Sequence, residues 1–258
     1  MYNTSTSKKE LAFTSALGVG SKGSAVKRLQ EWLNLQGHGI LIDGDFGPAT
    51  LAALKGFQTA QGLRMANTLN VQTWTALVQP MSRSLSATAG ASATVSAVCL
   101  AVAQAHLAEH PLEAGGDNCG PWVRLYTGGR EGAEWRWCAG FVSFVLSQAC
   151  DFMTMRAPIK GSLSCDTLAA QAQAAARFVS GKSIVSSTTD FSAVGACAVF
   201  LVRRTPGDWT HTGFAFNFTA STFETIEGNT NDDGSANGYE VCRRIRKISD
   251  GYDFVRLD

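Results

Sequence analysis

Residues 81–95 constrain this chain more than any other stretch. Met81-Ser82-Arg83-Ser84-Leu85-Ser86-Ala87-Thr88-Ala89-Gly90-Ala91-Ser92-Ala93-Thr94-Val95 is Ser, Ala and Thr with one Gly and almost no charge or bulk. That composition predicts a flexible linker, although a poorly patterned helix fits the same residues. A chain divided there has an N-terminal leader over 1–10, a block over 11–80 and a block over 96–258, and both blocks are of ordinary domain size. With 45% hydrophobic and 17% charged residues, each has material for a core, and disorder throughout is excluded.

The first block reads as three short helices. Ser24 is placed to cap a helix carrying Val26, Leu29, Trp32 and Leu33, ended by Gly37. A turn follows, Asp43-Gly44-Asp45-Phe46-Gly47, in which Gly44 and Gly47 are expected at positive φ. Pro48 opens a helix with Leu51, Leu54 and Phe57 on one stripe, closed by Gly62. A last helix carries Val71, Trp74 and Leu77. In the second block, helices are expected over 96–109, from Cys138 through Leu146, and over 167–179. Strands follow at 198–202, 212–218, 223–227 and 239–243. Helices first and antiparallel strands after them indicate an α+β domain.

A net charge of +1 excludes a dedicated nucleic-acid binder, which normally carries a clear basic excess. Residues 1–80 stand at +3 and the remainder at −2, a front end that suits an anionic polymer and equally a solvated basic face. Seven cysteines, an odd number without CxxC spacing, exclude a fully paired disulfide framework. They predict buried thiols in a protein made in a reducing compartment, one of them reactive. The first ten residues lack the basic-then-apolar order of a secretory signal, and no run of about 18 apolar residues exists to span a membrane.

Cys138 has the most reactive setting. It opens an apolar helix, where free N–H groups and the dipole favour thiolate. Arg136 adds positive charge, and Ala139 and Gly140 leave room for a substrate. Cys119, in the Gly-rich loop 115–120, is the main rival. A thiol nucleophile needs a base and a group that orients it. His211 starts a strand whose Phe214/Phe216/Phe218 side would face the core, leaving His211 on the side where Glu227 reaches it. Glu227 and Asn229 are two apart and, in an extended chain, share a face. Either would accept the imidazole Nδ1–H and leave Nε2 as base. A competing motif is His106-Leu107-Ala108-Glu109-His110, the HxxEH of zinc peptidases when it lies on a helix, though Pro111 ends the helix at once.

Leu17-Gly18, Gly20, Gly23, Val26, Leu29-Gln30, Leu33 and Gly37, then Asp43-Gly44-Asp45-Phe46-Gly47-Pro48-Ala49-Thr50, Ala53, Phe57-Gln58, Gly62-Leu63 and Thr73-Trp74, are similar to the peptidoglycan-binding type 1 domain. The resemblance implies a three-helix bundle that holds peptidoglycan, with Asn67-Thr68-Leu69-Asn70 departing from the usual Asp-Gly turn. Trp137-Cys138-Ala139-Gly140-Phe141-Val142, His211-Thr212-Gly213-Phe214-Ala215 and Thr225-Ile226-Glu227-Gly228-Asn229-Thr230 resemble the CHAP family of cysteine, histidine-dependent amidohydrolases and peptidases. This second resemblance implies a papain-like α+β fold of the NlpC/P60-CHAP type. It implies Cys138, His211 and Glu227 as catalytic residues, with Asn229 as a fourth. Trp137, Asp43 and Asp45 are the candidate substrate-binding residues. Calcium at Asp43 and Asp45 is the lesser reading beside loop capping, and no cofactor or required metal is expected. Together the resemblances imply a monomeric peptidoglycan hydrolase, as in bacteriophage endolysins, made in the cytoplasm and reaching the wall by a separate route. A secreted wall-degrading effector, a non-catalytic wall-binding protein and an HxxEH zinc peptidase are the alternatives.

Overall fold

The computed structural model describes residues 4–87, 94–186, 190–231 and 237–258. The first helix, α1 (Ser5–Leu11), is capped by Thr4, whose side chain accepts from the Ser7 N–H. The three expected helices follow as α2 (Ser24–Leu35), α3 (Pro48–Ala60) and α4 (Val71–Leu77). The cap of α2 is Gly23 rather than Ser24, which is already helical. Val26, Leu29, Trp32, Leu33, Leu54, Phe57, Trp74 and Leu77 form the core of this block. Two buried glutamines pin its loops. Gln30 donates to Asp43 Oδ1 (2.8 Å) and accepts from the Gly44 N–H (2.8 Å), and Gln58 donates to Thr73 Oγ1 (3.1 Å) and accepts from the Ala66 N–H (2.9 Å). Gly44 has the expected positive φ of 73°, but Gly47 is extended at −91°, as the cap of α3.

The linker expectation fails at both ends. Helix α5 (Gln79–Leu85) continues directly from α4, and α6 (Val95–Ala108) begins at Val95. Residues 88–93, the rest of the expected linker, lie outside the described residues. Two serines of α5 and its cap bond back into the helix, Ser84 Oγ donating to the Met81 carbonyl and Ser86 Oγ to that of Ser82. That frees Met81 and Leu85 to be buried.

The second block continues with α7 (Pro121–Thr127), α8 (Cys138–Phe152) and α9 (Cys165–Ala174). The chain then forms β1 (Phe178–Val179), α10 (Gly181–Val185), β2 (Cys197–Thr205), β3 (Asp208–Phe216), β4 (Thr222–Thr230), β5 (Glu240–Lys247) and β6 (Tyr252–Arg256). The sheet is antiparallel throughout, in the order β1-β6-β2-β3-β4-β5. An α+β domain thus follows a helical region, as expected. Helix α8 packs across β3 and β4, with Phe141 edge-on to Phe214. On the opposite face Phe200, Phe223 and Phe254 form a second cluster with Ile184 of α10. Phe218 joins that cluster instead of lying with Phe214 and Phe216, because β3 ends at Phe216 and Asn217 turns left-handed at φ 49°.

The two blocks are docked, and the leader takes part. Arg124 on α7 bonds Glu10 of α1 (2.8 Å), Glu31 of α2 (2.7 Å) and Glu131 (2.7 Å), while Trp32 meets Trp122 edge-on. The Arg124 side chain is only 12% exposed, so removing it strands the buried carboxylate of Glu31 and leaves Glu10 with Arg28 alone at 3.7 Å. Breaking such a buried pair costs about 3–5 kcal/mol. Arg124→Ala is therefore expected to lower the unfolding free energy by an amount in that range, read as a lower urea midpoint at unchanged slope. An unchanged midpoint would mean the cluster contributes nothing to docking.

Candidate active site

The site is assembled where the start of α8 meets β3 and β4. Cys138 is the first residue of α8, after the cap residue Trp137. His211 lies on β3 and Glu227 on β4, and the imidazole Nε2 is 2.8 Å from Glu227 Oε2. This reverses the expected ring orientation, since Nε2 is held by the carboxylate. Nδ1 is buried with no hydrogen-bond partner among the described residues, and the imidazole is electrostatically coupled to the Cys138 thiol, so Nδ1 is the nitrogen left free to exchange a proton.

The electrostatics follow from this geometry. The Cys138 thiol is held well below its ordinary range, chiefly by its contact with the Cys165 thiol at 4.0 Å, against the opposing effect of burial and with further help from His211 and the Ala139 N–H. Arg136 is exposed and is not among the causes of the shift. Burial pushes His211 down, but its interactions with Cys138 and Glu227 outweigh that and raise it to about 9. Burial likewise pushes Glu227 up, and His211 and Arg246 overcome it, leaving the carboxylate at about 2. Cys138 is 4% and His211 2% exposed, so water screens the thiolate–imidazolium pair little.

Glu227 has two further partners. Arg246 on β5 grips it with Nε and Nη2, each at 2.6 Å, and Thr225 Oγ1 donates to Oε1. Arg246 lies over the Phe200 ring at 5.1 Å. Sequence reasoning missed it because the expected strand stopped at residue 243. In fact β5 runs to Lys247, burying part of Arg244 and Arg246 while Ile245 is exposed. The signal was the alternation of Arg244 and Arg246 two apart. In the β4–β5 register Thr225 opposes Arg244 and Glu227 opposes Cys242, which puts these residues on one face.

Asn229 does not act on His211. The register shifts between Glu227 and Thr230, and Asn229 is left-handed at φ 57°, so the two-residue alternation breaks. Its Oδ1 accepts from the Trp137 N–H (3.0 Å), and its Nδ2 donates to the Gly238 carbonyl (2.7 Å) and to Asn118 Oδ1 (3.3 Å). Asn229 thus positions the start of α8. Gly228 permits the approach, since a Cβ there would lie 2.8 Å from Phe141 and Trp137 atoms.

Trp137 is not a substrate platform. It is fully buried, stacked on Tyr126, and its Nε1 donates to Glu113 Oε1 at 2.8 Å. Gly140 also serves packing rather than access, as a Cβ would lie 2.7 Å from the Tyr126 carbonyl of α7. Asp43 and Asp45 work within their own loop. Asp43 Oδ1 accepts from Gln30 and from the Asp45 N–H, and Asp45 pairs with Lys22 at 2.8 Å. Cys119, the rival nucleophile, donates to the Asp117 carbonyl, and its thiol is raised by burial.

The HxxEH residues do not form a metal-binding face. Helix α6 ends at Ala108, and His110 lies beyond it at φ 47°, bonded to Glu240 at 2.6 Å. His106 uses both ring nitrogens in the core, Nδ1 with the Tyr126 hydroxyl (2.8 Å) and Nε2 with Gln148 Oε1 (3.0 Å), and burial lowers it to about 4.

Residues 22–77 match the family model of the peptidoglycan binding domain. None of the curated proteins compared matches the chain. Among solved structures, a fused Zn-dependent amidase/peptidase/peptidoglycan-binding domain-containing protein from Clostridium acetobutylicum is 37% identical over a part covering 25% of this chain and 29% of that one, with a TM-score of 0.24. The aligned part is less than a third of that protein's length. The family match spans helices α2 to α4, and peptidoglycan is the partner it indicates. The first block of this chain carries a peptidoglycan binding domain over residues 22–77.

Proposed function

We propose that this chain is a cysteine-dependent peptidoglycan hydrolase of the papain-like CHAP type, which holds the wall with its first block and cuts an amide bond of the wall peptide with its second. What supports this reading is the bond of His211 Nε2 to Glu227, the otherwise unpartnered Nδ1, and the mutual pull of the His211 and Cys138 charges. In this reading the Cys138 thiolate attacks the amide carbonyl carbon. First-turn N–H groups of α8, which have no helical carbonyl to bond, receive the oxyanion. The His211 Nδ1–H protonates the leaving amine as the C–N bond breaks, leaving a thioester. His211 then takes a proton from water, the hydroxide attacks the thioester, and Cys138 departs as thiolate. Glu227, held by Arg246, keeps the imidazole oriented and stabilises its charge throughout.

Glycosidase chemistry is disfavoured, because it needs facing carboxylates rather than a thiol. The test is digestion of purified peptidoglycan sacculi with the full chain, with and without EDTA, and product identification by mass spectrometry. The expected result is soluble fragments with one new amine and one new carboxylate per cut, in equal yield under both conditions. Reducing sugar ends without new amines, or complete loss with EDTA, would sink the proposal.

A further inference from the structure

Cys165 has no part in the relay, yet its Sγ lies 4.0 Å from that of Cys138. Both cysteines are the first residues of helices, α8 and α9, and both are buried. Cys138 therefore interacts with His211, the Ala139 N–H and the Cys165 thiol. The other charged groups nearby are Asp166 beside Cys165, which accepts from the Trp209 N–H (2.7 Å), and Glu227 and Arg246 behind the imidazole.

We propose that Cys165 is a positioning residue of the active site, whose S–H donates to the Cys138 thiolate and holds it ready between turnovers. The inference rests on Cys138 being the nucleophile. A thiolate that accepts several hydrogen bonds is favoured over the thiol, as for a multiply bonded carboxylate. Its hydrogen bond with Cys138, then burial and the neighbouring negative charge, push the Cys165 thiol up, so it keeps the proton it donates. A donor on a sulfur, unlike a second cation, gives way readily when the thiolate leaves it to attack a carbonyl.

The test follows alkylation of Cys138 by iodoacetamide against pH, read by peptide mass spectrometry in the full chain under a phosphine reductant. Parent, Cys165→Ala and Cys165→Ser are compared, with melting curves to establish folding. The expected result is a parent midpoint well below that of an ordinary thiol. Cys165→Ala raises it by about one unit, a tenfold loss of thiolate at acidic pH. Cys165→Ser, which restores a donor, returns most of the difference. An alanine midpoint equal to the parent's overturns the inference and leaves the nucleophile assignment intact. Equal shifts in both variants also overturn it, since packing rather than donation would be the cause. An ordinary midpoint in the parent overturns both the inference and the thiolate mechanism on which it rests.

Discussion

Cys138→Ser will release soluble fragments from peptidoglycan at least about a thousandfold more slowly than the parent, the scale on which loss of a nucleophile that acts as one unit with its base is felt. A serine hydroxyl in this position remains protonated, because the donors that hold the thiolate cannot bring an alcohol into its titration range. The shorter Oγ also draws the reacting atom back from His211. Sedimentation with sacculi should be unchanged, since residues 22–77 are untouched. The same ion pair sets the pH dependence. His211 keeps its proton up to about 9, so the acid that protonates the leaving amine is present below that value and lost above it. The rate of fragment release should fall on an alkaline limb near pH 9. A serine variant with near-parent activity would remove Cys138 from the mechanism, and an alkaline limb near the ordinary imidazole range would remove the Glu227–His211–Cys138 coupling.

Much of the site was legible because its local signals are strong. The apolar run after Cys138 predicts a helix start, and the period of β3 separates His211 from Phe214 and Phe216. What failed depended on backbone geometry that periodicity does not encode. Asn229 was placed with Glu227 by a two-residue alternation that its left-handed φ breaks. The choice between Nδ1 and Nε2 depends on how β3 and β4 set the ring against the carboxylate, and no spacing reports it. Arg246 escaped notice, because its partner Glu227 sits 19 residues away across the β4–β5 pairing. Cys165 precedes a helix with no basic neighbour in sequence, and only the fold brings it to Cys138. The leader and the linker were misread for a related reason. Glu10, Met81 and Leu85 gain their meaning from Arg124 and from the packed helices, not from local composition.

Glu227→Gln should lose activity and stability together, and the combination separates a relay from a structural ion pair. The side chain is fully buried and bonds Arg246 twice, while the Arg246 side chain is 15% exposed. An amide in its place leaves that guanidinium in the sheet without a counter-charge, a loss of about 3–5 kcal/mol. The carboxylate at about 2 against an ordinary 4.5 gives the sign of the pH effect. A lowered folded-state value contributes stability that is complete above about 4.5 and lost as pH falls through about 2. The parent should therefore hold its advantage over the variant at neutral pH, and the advantage should shrink as urea unfolding is repeated from pH 4.5 downward. Catalysis reports the other half. With one of its two supports gone, the His211 imidazolium loses its proton at lower pH, and the alkaline limb moves down from about 9. Rates must be taken at a temperature where the variant is folded by circular dichroism. Lost stability with an unmoved limb would make Glu227 only a partner for Arg246. A moved limb, with turnover lowered by about a hundredfold or more, would make it the orienting member of the relay.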